Sequence, residues 1–480
     1  MNNLFSGSNL LILIIISIVI LGIAYLVQNI LTALKNRMQV EKSEITDEIE
    51  ELISELKVFK KILFYLIPLI WLSFSIYMTI KGSPMEGHVI EWMNLLVRWT
   101  HIIFGISWIG ASFYFIFLEN SLNRTENLRE GLAGNLWAIH GGGFYYVEKY
   151  KVAPDQLPKK LHWFKYEAYF TWISGIALLM IAYYFNASSF MIDTTISNIT
   201  PGTSIFIGIA SILSGWFFYD LLCKSQMVHK KFAFMVCMFL FISFMAFLLS
   251  QFLSGRAAYI HIGALIGTIM VGNVFKVIIP SQKALVRAAK YGKTVDPTLG
   301  QNSGLRSLHN NYFTLPVIFI MISNHFPSTF GNTSQWLILM ALTLASVLVR
   351  HYINLHEKGQ TMKWLLPAAT IILISLVFVT APKQNTGKTK YTKKVSFSQA
   401  NEIIQKRCVQ CHSEKPTDDV QSVAPNGIKF NTPAEIVKMA DRIMVRAVTT
   451  KTMPQGNKTG ITEEERDILG AWIEQGAKTN

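Results

Sequence analysis

The sequence predicts an all-α chain, a polytopic helical membrane bundle followed by a small helical C-terminal domain. Three observations predict it. The chain has 480 residues, of which 51% are hydrophobic and only 15% charged, with 31 Phe and 11 Trp, a balance found in membrane proteins. About ten apolar stretches are long enough to cross a bilayer, and the loops between them alternate between basic and poor in basic residues. From about residue 395 the apolar pattern gives way to a polar segment with helical periodicity of its own. The net charge of +14 would suggest nucleic acid in a soluble protein. Here basic loops on one side of a membrane account for it, and no nucleic-acid partner is expected.

In chain order the stretches run over 10–34, 62–80, 95–118, 168–185, 204–222, 232–253, 258–279, 309–326, 334–351 and 364–381. The first is followed, not preceded, by basic residues (Lys35 and Arg37). It therefore reads as a retained span with its N-terminus outside, not as a cleaved signal peptide. Residues 41–61 alternate charge with apolar residues at helical spacing, an amphipathic cytoplasmic helix. Residues 1–61 thus form an addition before the main bundle of 62–381. The stretch 309–326 is the most polar and holds Pro316, but its 18 residues would still reach about 27 Å.

Loops 35–61, 119–167, 223–231, 280–308 and 352–363 hold nearly all the lysine and arginine of the bundle, and the intervening loops hold one basic residue each at most. The basic set is assigned to the cytoplasm, which puts both termini outside. Cys223 and Cys237, on neighbouring stretches, read as buried thiols without a disulfide role. Residues 382–396 are polar, basic and aperiodic, a flexible linker. Residues 397–480 then form a periplasmic domain with a helix, a loop, a helix near 433–449 and a closing helix over 462–476.

That domain carries the chemistry most local in sequence. RCVQCHS, residues 407–413, spaces Cys408 and Cys411 by two residues and sets His412 directly after them. This is the c-type haem attachment pattern: each thiol forms a thioether to the porphyrin and the adjacent imidazole lies beneath the iron. A zinc site would need two further ligands, and after Cys411 the tail holds no cysteine and no histidine besides His412. Met453, on a loop before the closing helix, is the candidate second axial ligand, a pairing suited to electron transfer at raised potential. The element order fits a class I-like cytochrome c domain with one covalent haem c. Thioether haem is attached outside the cytoplasmic membrane, which agrees with the topology drawn from the loops.

Ionisable groups near a bilayer are costly enough to be functional candidates. His101, His261 and His325 lie near the outer face in this topology, and two of them could hold the iron of a b-type haem; the bland alternative is interfacial histidines bonded to backbone or water. On the inner side, AIHGGGFYYVEKYKVAP and LHWFKYEAYFTWISG combine Gly141, Gly142 and Gly143 with His140, Tyr145, Tyr146, Glu148, Lys149, His162, Trp163, Lys165 and Glu167. Asn273, Lys276, His309, Asn310 and Asn311 end or open neighbouring stretches. Such a set suits a flat, anionic, hydrogen-bonding substrate: glycine amides, Tyr146, Lys149, Trp163, Lys165, Asn273, His309 and Asn310 to bind it. His140 or His162, with Glu148 or Glu167, would move protons. An ordinary interfacial loop with aromatic anchors and snorkelling lysines fits the same residues.

On these segments the chain resembles the membrane-bound urate hydroxylase family, in which a multi-span domain is fused to a C-terminal cytochrome c. The residues that carry the resemblance are RWTHIIFGISWIGASFYFIFLENSL from Arg98, GGGFYYVEKYKVAP from Gly141, LHWFKYEAYFTWISG from Leu161, GALIGTIMVGNVFKVIIPSQ from Gly263, RSLHNNYFTLPVIFIMISNHFP from Arg306, and the tail's CVQCHSEKP and MPQGNKTGITEEER. It covers roughly residues 65 to 480. It implies a bacterial inner-membrane enzyme that oxidises urate, or a related purine, to 5-hydroxyisourate with water as the oxygen source. Electrons would pass to the fused cytochrome c and on to a soluble cytochrome c or a terminal oxidase. Two other classes remain beside it: a haem-bearing relay subunit for a donor such as a quinol, and a transporter or sensor regulated by its cytochrome.

Overall fold

The computed structural model describes residues 84–381 and 394–479, apart from 126, 155, 295, 419, 420 and 422, together with scattered positions between 25 and 64. The expected spans 10–34 and 62–80, the amphipathic helix 41–61 and most of the linker 382–396 lie largely outside the described residues. The chain divides into two compact units, Met1–His88 with Lys290–Lys293, and Val89–Ala289 with Thr294–Asn480. The second unit holds the bundle and the C-terminal tail.

The bundle is built from α1 (Pro84–Ser121), α2 (Tyr166–Leu179, continued by a π-helical turn Met180–Tyr184), the short α3 (Ala187–Phe190), α4 (Pro201–Lys224), α5 (Lys231–Phe252), α6 (Gly255–Gly272), a π-helical turn Asn273–Ile278, α7 (Ile279–Lys290), α8 (Pro297–Ser323), the short α9 (Pro327–Phe330), α10 (Gln335–Glu357) and α11 (Leu365–Val379). Local chemistry sets several starts. Thr200 accepts a hydrogen bond from the Thr203 amide, with Pro201 in the first turn of α4. Ser254 accepts one from Ala257 at α6, and Asp296 one from Thr298 ahead of Pro297 at α8. Each pairs an orphan amide that the helix cannot satisfy itself.

Five helices among the described residues are long and apolar enough to cross a membrane: Met85–Ser121, Pro201–Lys224, Lys231–Phe252, Gly255–Lys290 and Gln335–Glu357. Three further expected spans are helical but fall short of that standard. α2 and α11 are short, with 14 and 15 residues. α8 is long, but Arg306, His309, Asn310 and Asn311 lower its hydropathy.

Helix α6 is the centre of the bundle, packed against α2, α4, α5 and α8. Its Tyr259, Ile262, Leu265, Ile266 and Ile269 are all at most 1% exposed. The outward faces of α4 and α5 leave Phe206, Phe217, Leu221, Phe232 and Phe244 exposed. Apolar side chains turned away from a filled core are what a helix surrounded by lipid requires.

The all-α expectation needs one correction. The loop 119–167 contains an antiparallel hairpin, β1 (Leu132–His140) and β2 (Gly143–Tyr150), with Trp137 opposite Tyr146 and His140 opposite Gly143. Gly141 and Gly142 form its two-residue turn at φ +56° and +80°. Positive φ at both central positions is what a tight hairpin turn with the right-handed strand twist demands, and glycine meets it without strain.

In the tail, α12 (Phe397–Arg407) starts in a capping box between Ser396 and Gln399 and packs against α15 (Glu463–Glu474), itself started by a capping box between Thr462 and Glu465. Ile404, Leu469, Trp472 and Ile436 fill the core between them. The single helix expected near 433–449 is three pieces: α13 (Pro433–Lys438), α14 (Ala440–Ile443) and a π-helical turn, Met444–Thr449. The break falls at Met439, whose φ of −105° and ψ of 6° leave the helical region.

The methionine loop lies against the bundle. The Thr194 amide donates to the Gly456 carbonyl at 3.3 Å. Gly456 itself, at φ +58°, sits so close that a Cβ there would come within 2.3 Å of the Ile192 carbonyl oxygen. Gly331, just after α9, lies against Thr450 and Thr452 of the same loop.

Candidate functional site

The hairpin residues pair mostly with one another and with their near neighbours. His140 is exposed at the hairpin tip, and Gly141 and Gly142 turn the chain there with no neighbouring atoms against them. Glu148 is engaged by Arg129, with Nε to Oε1 at 3.1 Å, and Lys149 pairs with Glu119. The Tyr146 hydroxyl accepts from Asn135 Nδ2 at 3.0 Å, and its ring lies 4.6 Å from that of Trp137. Gly141 and Gly142 are thus used by the turn, and Glu148 and Lys149 by surface ion pairs. His162 sits edge-on to Phe164 with ring centroids 4.5 Å apart, and Lys165 lies over the ring of Tyr166. Trp163 packs beside Ala168, Val271 and Val274, so this segment reaches the π turn after α6. Glu167 lies next to it with a buried Oε2 that has no hydrogen-bond partner.

Asn273, His309 and Asn310 are brought together. Asn273, fully buried in the first position of the π turn, donates from Nδ2 to the Tyr219 hydroxyl at 2.9 Å and to Asn310 Oδ1 at 2.8 Å. The same Tyr219 hydroxyl lies 2.8 Å from His309 Nδ1 and is hydrogen-bonded to it. The His309 ring stacks on Phe234 at 4.6 Å. Arg306 donates to Asn273 Oδ1 at 3.1 Å and to Asp220 Oδ1 at 2.8 Å, while Asn310 Nδ2 donates to the Met270 carbonyl. Every donor–acceptor pair here joins two of α4, α6 with its π turn, and α8. The π turn matters because its wider ring tilts one residue out of register, a distortion common at functional positions.

On the other side of α8, Asn311 Nδ2 donates to Asn354 Oδ1 at 2.9 Å, and Asn311 Oδ1 accepts from Arg350 Nε. The Tyr312 hydroxyl and His351 Nδ1 are 2.7 Å apart. Arg350 is 2% exposed, and its guanidinium lies 4.1 Å from the centre of the Phe113 ring. The polar centre of the bundle is therefore two networks on opposite faces of α8. Tyr219, Asp220, Arg350 and Asn354 were not among the sequence candidates. Each lies in the polar run that ends an apolar helix, where sequence alone reads a flanking group.

The three outer histidines are not brought to one iron. His101 donates from Nδ1 to the Thr171 carbonyl at 3.0 Å, with Ser174 Oγ at 3.1 Å. His261 donates from Nδ1 to the Ala257 carbonyl at 2.8 Å, and its Nε2 faces the Tyr184 hydroxyl at 3.2 Å. Thr171 and Ser174 lie ten to thirteen residues before Tyr184 on one helix, a rise of about 15–20 Å. Two axial imidazoles must face each other at one level. His325 is exposed beyond the end of α8. His101 and His261 are thus each held by partners of their own, and a b-type haem between His101 and His261 or His325 is an expectation of the sequence alone.

The tail residues do fit a covalent haem. Cys408 and Cys411, neither in a disulfide, flank the turn into His412, whose Nδ1 donates to the Ile428 carbonyl at 3.0 Å. That bond fixes the tautomer and leaves Nε2 as the nitrogen that would hold the iron of a covalent haem. Met453 belongs to the same domain, held by its amide on the Arg446 carbonyl at 2.9 Å and by Arg466 Nη1 on its own carbonyl at 2.8 Å. Among the described residues no group of three or more His, Cys, Asp and Glu could hold a bare metal ion.

The family described as "Urate oxidase N-terminal" matches residues 87–381. The chain belongs to that family. Neither a curated relative nor a solved structure matches the chain. The match covers α1 to α11 and both polar networks, and stops before the tail. A urate-related oxidoreductase with membrane-helix character follows from family and fold together.

Proposed function

We propose that this urate oxidase family member oxidises urate to 5-hydroxyisourate with water as the oxygen source, and passes the electrons to its own tail as a cytochrome c. The observation that carries the reading is a bundle of that family continuing into a domain with Cys408, Cys411, His412 and Met453, whose methionine loop lies against the bundle. The reaction consumes urate and water and releases 5-hydroxyisourate, two electrons and two protons. A haem c, when bound through Cys408 and Cys411, accepts one electron at a time, so a turnover fills it twice. The chain's residues bind the planar anion, exclude water other than the reactant, and carry protons away through hydrogen-bonded groups such as Tyr219–His309. The tail faces the periplasm of a bacterial inner membrane in this reading, and a soluble cytochrome c or a terminal oxidase draws electrons from it.

The test is an anaerobic spectrum of the purified, oxidised protein before and after urate. A rise of the c-type α-band on addition supports the proposal. No change with urate, while dithionite or a quinol still reduces the haem, would leave the chain as a relay for another donor.

A further inference from the structure

We infer that the seam between α8 and α10 is the substrate pocket, with the Arg350 guanidinium and the Asn354 amide binding a planar anionic heterocycle, urate in the reading above on which this rests. Arg350 is 2% exposed and Asn354 4%. Their neighbours satisfy only part of them. Arg350 Nε is engaged by Asn311 Oδ1, but its Nη2 is buried without a hydrogen-bond partner; Asn354 Nδ2 is buried too, near the Tyr312 hydroxyl but without good hydrogen-bond geometry to it.

Among the described residues no carboxylate lies within ion-pair distance of Arg350. Glu357, two turns further along α10, is engaged by Asn120 Nδ2 at 2.8 Å. A buried, unpaired guanidinium is among the least tolerable features of a folded chain, since both its charge and its donors lose water. Two such donors, one cationic and one neutral, four residues apart on one helix face, match a ligand that is anionic and offers a second acceptor.

The rest of the seam suits a flat ring. Phe113 of α1 covers one side of the Arg350 guanidinium plane at 4.1 Å, which holds the fork at a fixed orientation. Asn311 orients both binding groups at once, taking Arg350 Nε on its oxygen and giving its Nδ2 to Asn354. Beside them, Tyr312 and His351 form a hydrogen-bonded pair at 2.7 Å, adjacent in sequence to Asn311 and Arg350 respectively. Arg350 lies fifteen residues along α10 from Gln335, about 22 Å from the end where the methionine loop docks. Substrate and tail are thus at opposite ends of α10, and electrons cross the bundle between them.

The experiment measures urate binding to the full-length protein, anaerobically, by equilibrium dialysis with labelled urate, for wild type, Arg350→Gln, Arg350→Lys and Asn354→Leu. Arg350→Gln should raise Kd roughly 10- to 100-fold, the size of a charge-assisted hydrogen bond. Arg350→Lys should recover only part of it, because a point charge does not reproduce the fork. Asn354→Leu should raise Kd about fivefold and reports independently should Arg350→Gln fail to fold. In each variant dithionite should reduce the tail haem as in wild type. Variants that elute as wild type in detergent yet bind urate with unchanged Kd overturn the pocket while leaving the urate reading standing. A wild-type chain that neither binds urate nor is reduced by it overturns both.

Discussion

Replacing Gly456 by asparagine separates docking of the tail from its folding. Gly456 has φ +58° and ψ 18°, a left-handed conformation that asparagine enters at small cost. The new Cβ would lie 2.3 Å from the Ile192 carbonyl oxygen, about 1 Å inside ordinary contact. Either the methionine loop or the segment around Ile192 must retreat by that distance. The Thr194–Gly456 hydrogen bond, already 3.3 Å long, would then pass out of range. One such bond and its contacts are worth about 1–2 kcal/mol, which lowers the docked population roughly five- to thirtyfold. If electrons reach the tail across this contact, stopped-flow reduction by urate should slow by a comparable factor, while dithionite reduction and tail melting stay at wild-type values. Gly331→Ala crowds the same loop from the bundle side, with a Cβ 2.6 Å from Thr452 Cγ2 and 2.9 Å from the Thr450 oxygen, and should slow it too. Unchanged urate-driven reduction in both variants would refute electron entry at this contact.

Arg306→Leu strands the Asn273 oxygen and leaves Asp220 with Lys224 alone, at 2.6 Å. It should lower stability by about 3 kcal/mol, read as a drop in thermal midpoint in detergent; a wild-type midpoint would show that the network is not structural. His140→Ala, at an exposed hairpin tip, should change turnover by less than about twofold, and a severe loss would return the hairpin to the active site. In the tail, burial works against ionising Glu465, but hydrogen bonds from Arg407 and the Thr462 backbone outweigh it and hold the carboxyl below its usual 4.5. A depressed folded value means the stability it contributes is complete above the unfolded value and is lost as pH falls through the folded one. Tail melting should therefore drop in acid by about 1 kcal/mol. Glu465→Gln should flatten that dependence, and an unchanged acid profile would sink the assignment.

The features legible without coordinates were those carried by neighbours in sequence. RCVQCHS holds its chemistry within seven residues, and the apolar runs at 204–222, 232–253 and 258–279 are long enough to set helices on their own. The hairpin at 132–150 was missed because its Gly-Gly turn sits among aromatic residues read as interfacial anchors, although two glycines between β-branched and aromatic runs are a hairpin signal. The partners of His101 and His261 were not legible, because sequence orders groups along a span but not their depth against a neighbouring helix: His101 meets Thr171 and Ser174, and His261 meets Tyr184, further along the same helix.

The sequence by itself determined the long helices of the bundle and the membrane character, and it names the tail's candidate haem residues, since each follows from hydropathy, spacing and local donor chemistry. Only the tertiary structure decided that Asn273, Arg306, Tyr219 and His309 form one network, that Arg350 Nη2 and Asn354 Nδ2 are buried with donors left over, and that Gly456 meets Ile192. The contacts that define them join residues tens to hundreds of positions apart, such as Tyr219 with His309, Asn311 with Arg350 and Ile192 with Gly456, and these meetings depend on how the elements rotate and cross. Those are set by how whole side-chain surfaces interlock, a property no local window contains.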